Sequence, residues 1–541
     1  MRIKTLPWKP FGKDFAAFAV IFAALVLRMS YFGFEYYLQL DDYIHFRDFP
    51  AGTDFIQLCI DGGYFASRPF AILSDFWIWG RLPSYLSALI IAFFYALSGV
   101  LFLKLFRSYF STGWFFVVFY ALLPLGFEGT YWLAASTRIV PPLLFTALAL
   151  LAFDAFCETK KGRYLIPYLL CALASYTLYE QMLVLSLALC LMIMLLQLLR
   201  KRWHALWGLL VFVPVGIYFG FTGYFANSEA GVGKRMNWIL PTDPSYFTTF
   251  LPSLRRQLYD AFVKGGIMTL CKGFVRGVKL IFTEGIWSAV LIPVLGLGSY
   301  WVGKRCQTQE KGSQFHLAPL FGVLGALAPV TIFFVIANPW FSLRNTAASF
   351  LGLALLADYL LRLICKNKTA VLSAVFACVC LVASVSELYD YKMTTEYNEK
   401  VAQLILQADA QYDLEGNVGI LGLNASFLTD QNFQFHDHVI GTQSSDWALK
   451  GAMRYLSGET PDFTPCPVST DSDYLWDKWN RSAKDITQYD RLFYYNHEAG
   501  TLALLTIEND EGELLLYDPD GVLCARIWED DGGYGRMELY D

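Results

Sequence analysis

Charge is what this sequence has least of: Asp, Glu, Lys and Arg make up 16% of 541 residues, against 55% hydrophobic and 17% aromatic. Soluble domains carry about 25% charged residues, so this composition, with a mean hydropathy of +0.40, argues against an ordinary soluble protein and for a polytopic membrane protein. The eleven cysteines form no CxxC pair, and only Cys378 and Cys380 are close together, inside an apolar run. That argues against a disulfide scaffold and against a zinc domain. Walker motifs, a GxGxxG after a strand, HExxH and internal repeats are all missing, which removes the usual sequence signatures of nucleotide binding, zinc peptidases and solenoids. Nucleic acid is not an expected partner.

What is present is asymmetric. Residues 389 to 541 hold 28 of the 47 acidic and 10 of the 42 basic residues, so the first 388 are net basic. This split predicts a transmembrane domain over 1–388 and a soluble α+β domain over 389–541. Eleven apolar runs are candidate spans, since about 20 apolar residues cross the hydrocarbon as a helix. They lie near 15–34, 83–103, 113–127, 139–156, 164–179, 181–199, 205–225, 281–301, 316–337, 343–364 and 369–388. Basic residues cluster at alternate ends: Lys4, Lys9 and Lys13; Lys104 and Arg107; Lys160, Lys161 and Arg163; Arg200, Lys201 and Arg202; Lys304, Arg305 and Lys311; Arg362, Lys366 and Lys368. The positive-inside rule makes those ends cytoplasmic, with the first run read as a retained signal anchor and the C-terminal domain outside.

Two outer segments are long, 35–82 and 227–280. The second is net positive, which reads either as a solvated loop exempt from the rule or as a surface for phosphate or anionic lipid head groups. In the C-terminal part, Glu396 to Ala410 is helix-like and Val418-Gly-Ile-Leu-Gly-Leu strand-like. Thr501 to Ile507 and Glu513 to Tyr517 read as a hairpin, followed by a strand from Val522.

Ionisable residues near the membrane carry the functional expectation, because intramembrane charge is costly. Asp41 and Asp42 follow the first run, Glu128 and Arg138 flank the turn between runs three and four, Glu180 opens run six, and Glu284 and Arg344 stand at the starts of runs eight and ten. All fall at the outer face; Asp154 and Asp358 are exceptions near the cytoplasmic side. A secondary transporter instead keeps its coupling acids at the midplane.

The segment Arg28-Met-Ser-Tyr-Phe-Gly-Phe-Glu-Tyr-Tyr-Leu-Gln-Leu-Asp41-Asp42-Tyr43 resembles the start of GT-C superfamily glycosyltransferases. These include protein mannosyltransferases, the aminoarabinose transferases of lipid A and GtrII-type O-antigen glucosyltransferases. Asp61-Gly-Gly-Tyr-Phe-Ala-Ser-Arg68-Pro69 looks like the Gly-Arg-Pro segment of GtrII-like members, with serine for glycine, and Ser175-Tyr-Thr-Leu-Tyr-Glu180-Gln181 looks like their Tyr-Gln helix start. The likeness covers pieces of the first 200 residues and the layout of spans and loops. It implies a GT-C-like α-helical membrane fold of about eleven spans in a bacterial plasma membrane. It also implies a lipid-linked sugar donor on a polyprenyl phosphate, and a cell-surface glycan or lipid-linked acceptor.

Chemistry supplies the roles independently. Sugar transfer from a phosphate-linked donor needs a base for the acceptor hydroxyl and a counter-charge for the departing phosphate. By the resemblance, one of Asp41 and Asp42 is the expected base with the other orienting it; read on chemistry alone, the pair could instead hold a divalent cation through hard oxygen ligands. Arg28, Arg68, Arg138 and Arg344 are the candidates for the phosphate, since a guanidinium fork suits it. Arg28 has a competing role as partner of Glu35 or Glu128, and Arg344 opposes the dipole at its helix start unless an anion sits there. Glu128, Glu180 and Trp132 are candidate substrate contacts; the many tryptophans and tyrosines otherwise read as an interfacial belt. His436 and His438 read as a loop. The rival functions are a carrier or flippase for lipid-linked saccharides and a non-catalytic accessory or sensor protein.

Overall fold

The computed structural model describes residues 12–45, 57, 59–60, 63–225, 238–306, 314–337, 339–365, 368–423, 441–442, 445–468, 476–477, 482–483, 486, 489–510, 512–529 and 535–540. His436, Asp437, His438 and Asp61 lie outside them. By its internal contacts the chain divides into two compact units.

The first unit, Met1–Tyr36, Phe49–Tyr389 and Phe435–Asp437, is helical among its described residues. Its helices are α1 (Gly12–Arg28), α2 (Pro69–Trp77), α3 (Ser84–Phe110), α4 (Trp114–Leu122), α5 (Pro124–Tyr131), α6 (Leu133–Thr159), α7 (Leu165–Tyr176), α8 (Glu180–Leu199) and α9 (Trp203–Phe225). A helix over 246–283 (α10) leads into α11 (Ile286–Cys306), α12 (Phe315–Phe334), α13 (Leu343–Cys365) and α14 (Thr369–Tyr412). Each expected run overlaps a helix, but the run 113–127 crosses the break between α4 and α5 and the run 281–301 the junction of α10 and α11. Among the described residues, however, eight are long and apolar enough to cross a membrane: α3, α6, α8, α9, α11, α12, α13 and α14. A ninth arises if α4 and α5, bent by 47°, form one broken span. Pro124 causes that break, because proline donates no N–H and drives the residue before it out of the helical region. The first helix ends at Arg28 instead of extending to 34.

Close backbone approach holds the bundle together where side chains are smallest. At the crossing of α12 and α13, a Cβ on Gly352 would fall 2.1 Å from the Ala326 nitrogen. The two acids at the basic end are structural ties. Asp358 accepts the Gly113 N–H at 2.8 Å and pairs with Arg362 at 3.1 Å, while Asp154 accepts from Tyr109 at 2.5 Å and Gln197 at 2.6 Å.

The second unit, Tyr37–Asp48, Asp390–Gln434 and His438–Asp541, begins within the first long loop and resumes inside α14, whose residues from Asp390 on belong to it. It also contains α15 (Asp446–Ser457). One sheet has the order β2-β1-β5-β6: β1 (Asn417–Leu421) lies parallel to β2 (Thr464–Pro467) and β5 (Arg491–Asn496), with β6 (Thr501–Leu504) antiparallel to β5. A separate pair joins β3 (Trp476–Asp477) to β4 (Ser482–Ala483). The second sheet is an antiparallel meander of β7 (Thr506–Asp510), β8 (Glu513–Tyr517), β9 (Leu523–Glu529) and β10 (Gly535–Leu539). The run read as one hairpin arm is therefore split at Leu505, which is buried. Thr501–Leu504 pairs back to β5, and only Thr506–Asp510 forms the hairpin with β8.

Candidate functional site

In the first unit, a polar group gathers where α2, α8 and α13 begin. Arg68 immediately precedes Pro69, which occupies the first turn of α2 without losing a needed N–H. Its Nε donates to both oxygens of Glu180, at 3.1 and 2.9 Å. Glu180 is the first residue of α8, where the helix dipole favours negative charge. The guanidinium lies 4.5 Å from the centre of the Tyr179 ring, and the Tyr179 hydroxyl accepts from Asn345 Nδ2 at 2.8 Å. Gln181 Nε2 donates to the Asn345 carbonyl at 2.9 Å. Asn345 is fixed in turn by a capping box with Ser342 at the start of α13. Its neighbour Arg344 stacks over Trp132, 5.4 Å from the ring centre. Burial acts against the Arg68 charge, but Glu180 and Tyr179 outweigh it and Arg344 opposes them, so its pKa rises and the cation is retained. Two guanidinium groups thus share one field beside aromatic faces.

The other two arginines are held differently. Arg138 lies inside α6 instead of flanking its turn, and its Nε and Nη2 grip Asp75 Oδ2 at 3.2 and 3.0 Å while Thr137 donates to Asp75 Oδ1 at 2.9 Å. Arg28 is 4% exposed; it donates to the Ala121 carbonyl at 3.2 Å and to Thr130 Oγ1 at 2.7 Å, and lies over the Phe127 ring. Glu128 and Trp132 are each 1% exposed.

Asp41 and Asp42 belong to the second unit. Leu40, just before them, has φ of 38°, a left-handed conformation that costs a branched side chain about 1–2 kcal/mol. The segment is pinned on both sides. Gln39 donates to the Tyr391 carbonyl at 2.9 Å and Thr395 Oγ1 at 2.8 Å, and the Gln39 N–H donates to Asp42 Oδ2 at 3.2 Å. Asp42 is fully buried and Asp41 half-buried. Tyr43, also fully buried, has its phenol pushed well above its ordinary pKa, first by burial and then by the carboxylates of Glu399 and Asp42. Strain held in place beside a paired acid is the kind that persists where the surrounding structure enforces it. Among the described residues no group of three or more His, Cys, Asp or Glu side chains is placed to hold a metal ion.

No protein family, no curated protein and no solved structure matches this chain.

The structure thus joins Arg68, Glu180, Arg344 and Trp132 in one neighbourhood of the helical unit, and sets the acidic pair beside Gln39, which is bound to the second-unit part of α14. Asp75 was missed by sequence reasoning, although an acid inside the apolar Pro69–Trp77 stretch is itself a signal of a partner. Asn345 and Tyr179 were visible as residues of notable segments but not as partners, because 166 positions separate them.

Proposed function

We propose that this protein is a membrane glycosyltransferase with a GT-C-like arrangement of about eleven spans. It transfers a sugar from a polyprenyl-phosphate donor to a cell-surface glycan or lipid-linked acceptor at the outer face of a bacterial plasma membrane. The observation that supports this most is the pairing of Arg68 with Arg344 beside Tyr179 and Trp132, at span ends opposite the basic clusters. Two fixed cations there suit the charge that develops on a departing phosphate, and Glu180 orients the Arg68 fork. Asp41 or Asp42 serves as base, with the other as its orienting partner. In this reading Arg138 and Arg28 act through Asp75 and Thr130, positioning α6 and α1. A donor in the membrane accords with an outer site, since nucleotide sugars are made in the cytoplasm.

The test is transfer of radiolabelled sugar from polyprenyl-phosphate donors, using membranes that contain wild-type protein or matched amounts of Arg68→Gln, Arg344→Gln, Asp41→Asn and Asp42→Asn. Transfer by wild type that fails in the arginine variants and in one aspartate variant supports the reading. A wild type inert across donors sinks it and favours the carrier. Full transfer by both aspartate variants removes the acidic pair from catalysis.

A further inference from the structure

The helix α10 is an unusual element: three five-residue π turns, Tyr246–Phe250, Asp260–Lys264 and Met268–Lys272, interrupt it. Each π turn takes in an extra residue, which lengthens the repeat from 3.6 to about four and keeps one narrow stripe on the packed side. Phe250, Leu254, Ala261, Gly265, Gly273 and Gly277 form that buried stripe. It has no room to spare, since a Cβ on Gly277 would overlap the Val382 carbonyl and one on Gly265 would fall 2.5 Å from Leu343 Cδ2.

Those contacts fix where the helix lies. Leu343 opens α13, Val382 is in the far half of the apolar stretch of α14, and Ile286 opens α11 only three residues beyond Thr283, where α10 stops. Alternation of the spans puts these three places at the same end of the bundle. A helix of 38 residues anchored to all of them runs across the span ends and not along the spans.

Its outward side is two-faced. Tyr259, Val263, Ile267, Val275, Val278 and Phe282 are exposed by 38 to 71%. Alongside them run Arg256, Lys264, Lys272 and Lys279, while Arg276 turns to Ser386 and the Tyr389 ring of α14; residues 246 to 283 carry six basic residues and one acid, Asp260, which pairs with Lys264 at 2.7 Å. Apolar and basic edges on one helix are the pattern of a segment lying in the membrane interface.

We propose that α10 lies in the plane of the bilayer surface, with its apolar edge among acyl chains and its basic edge bound to the phosphates of anionic bilayer lipids. The charge of this edge complements such a surface, and the connection to α11 places its end at the depth where a span enters.

The test incorporates a photo-crosslinking benzoylphenylalanine at Ile267 or Val275 of the full chain, in bilayers of phosphatidylcholine with a minority of phosphatidylglycerol. Irradiation is followed by mass measurement of the adducts. Lipid adducts at both positions are expected, with phosphatidylglycerol enriched severalfold over its share of the bilayer. Replacing Lys264, Lys272 and Lys279 by Gln should return phosphatidylglycerol to near its bulk share of the adducts, since each surface lysine adds to the attraction for anionic lipid. Lys272→Gln alone gives the same direction should the triple variant fail to fold. Adducts to protein or none to lipid, phosphatidylglycerol only at its bulk share, or an enrichment that survives the lysine changes would each overturn the proposal. None of these readouts depends on sugar transfer.

Discussion

Arg68 and Glu180 stand 112 residues apart and meet through one guanidinium nitrogen shared between both carboxylate oxygens, at 2.9 and 3.1 Å. This contact ties the approach to α2 to the first residue of α8. Arg68→Gln should lower transfer by about 10²–10³-fold, the range for losing one preorganised charge-stabilising donor. Arg68→Lys should also fall well below wild type, because an ammonium does not reproduce the fork. Initial rates at saturating donor, with matched expression, check both. Wild-type rates in Arg68→Lys would mean that the fork geometry is irrelevant.

Asp41 and Asp42 differ in exposure, so their Asn variants should separate. Loss of a general base costs about 10²–10⁴ in rate, and one of the two variants should show it. The other should retain measurable transfer, since it removes an orienting contact. A pH–rate profile distinguishes them: the variant lacking the base loses the acidic limb that the wild type shows.

Asp75 is 2% exposed in its side chain and answers the charge of Arg138. Asp75→Asn should destabilise the helical unit by about 3–5 kcal/mol, because it strands a largely buried cation. Thermal unfolding in detergent measures this. Asp75→Asn combined with Arg138→Gln should recover part of the loss, and a double variant worse than the sum of the singles would contradict a simple pair.

Gly352 leaves no space for a side chain, with Ala326 N at 2.1 Å and the Gly322 carbonyl at 2.4 Å from a built Cβ. Both neighbours are backbone and have no rotamer to yield. Gly352→Ala should cost about 1–3 kcal/mol, as overpacking does, and lower the unfolding midpoint of the detergent-solubilised protein.

Tyr43 gives a pH dependence of definite sign. Its folded pKa lies above the ordinary value of about 10, so the unfolded chain loses this proton first. Stability from the neutral phenol is complete below pH 10 and declines as pH rises beyond it. Denaturant midpoints of the second unit measured from pH 8 to 11 should fall less steeply in Tyr43→Phe than in wild type. Parallel slopes would remove Tyr43 as the source.

The amino-acid sequence by itself determined the membrane character, the rough location of the long apolar helices and the change of chemistry near residue 389. Hydropathy and charge act locally: an apolar run of sufficient length becomes a helix wherever it packs, and acids and bases sort along the chain by residue count alone. Asp41 and Glu180 were likewise visible from their cost near a membrane, and Arg68 from the Ser-Arg-Pro segment that carries it.

Tertiary structure decided which of these residues belong together. It joined Tyr179 to Asn345, gave Asp75 to Arg138, and assigned the segment from Tyr37 to the unit that the C-terminal residues build. It also split one apparent strand at Leu505 between two sheets and turned part of a basic loop into α10. Such pairings depend on which surfaces face each other after packing, and contacts between residues a hundred or more positions apart leave no periodic trace in the sequence.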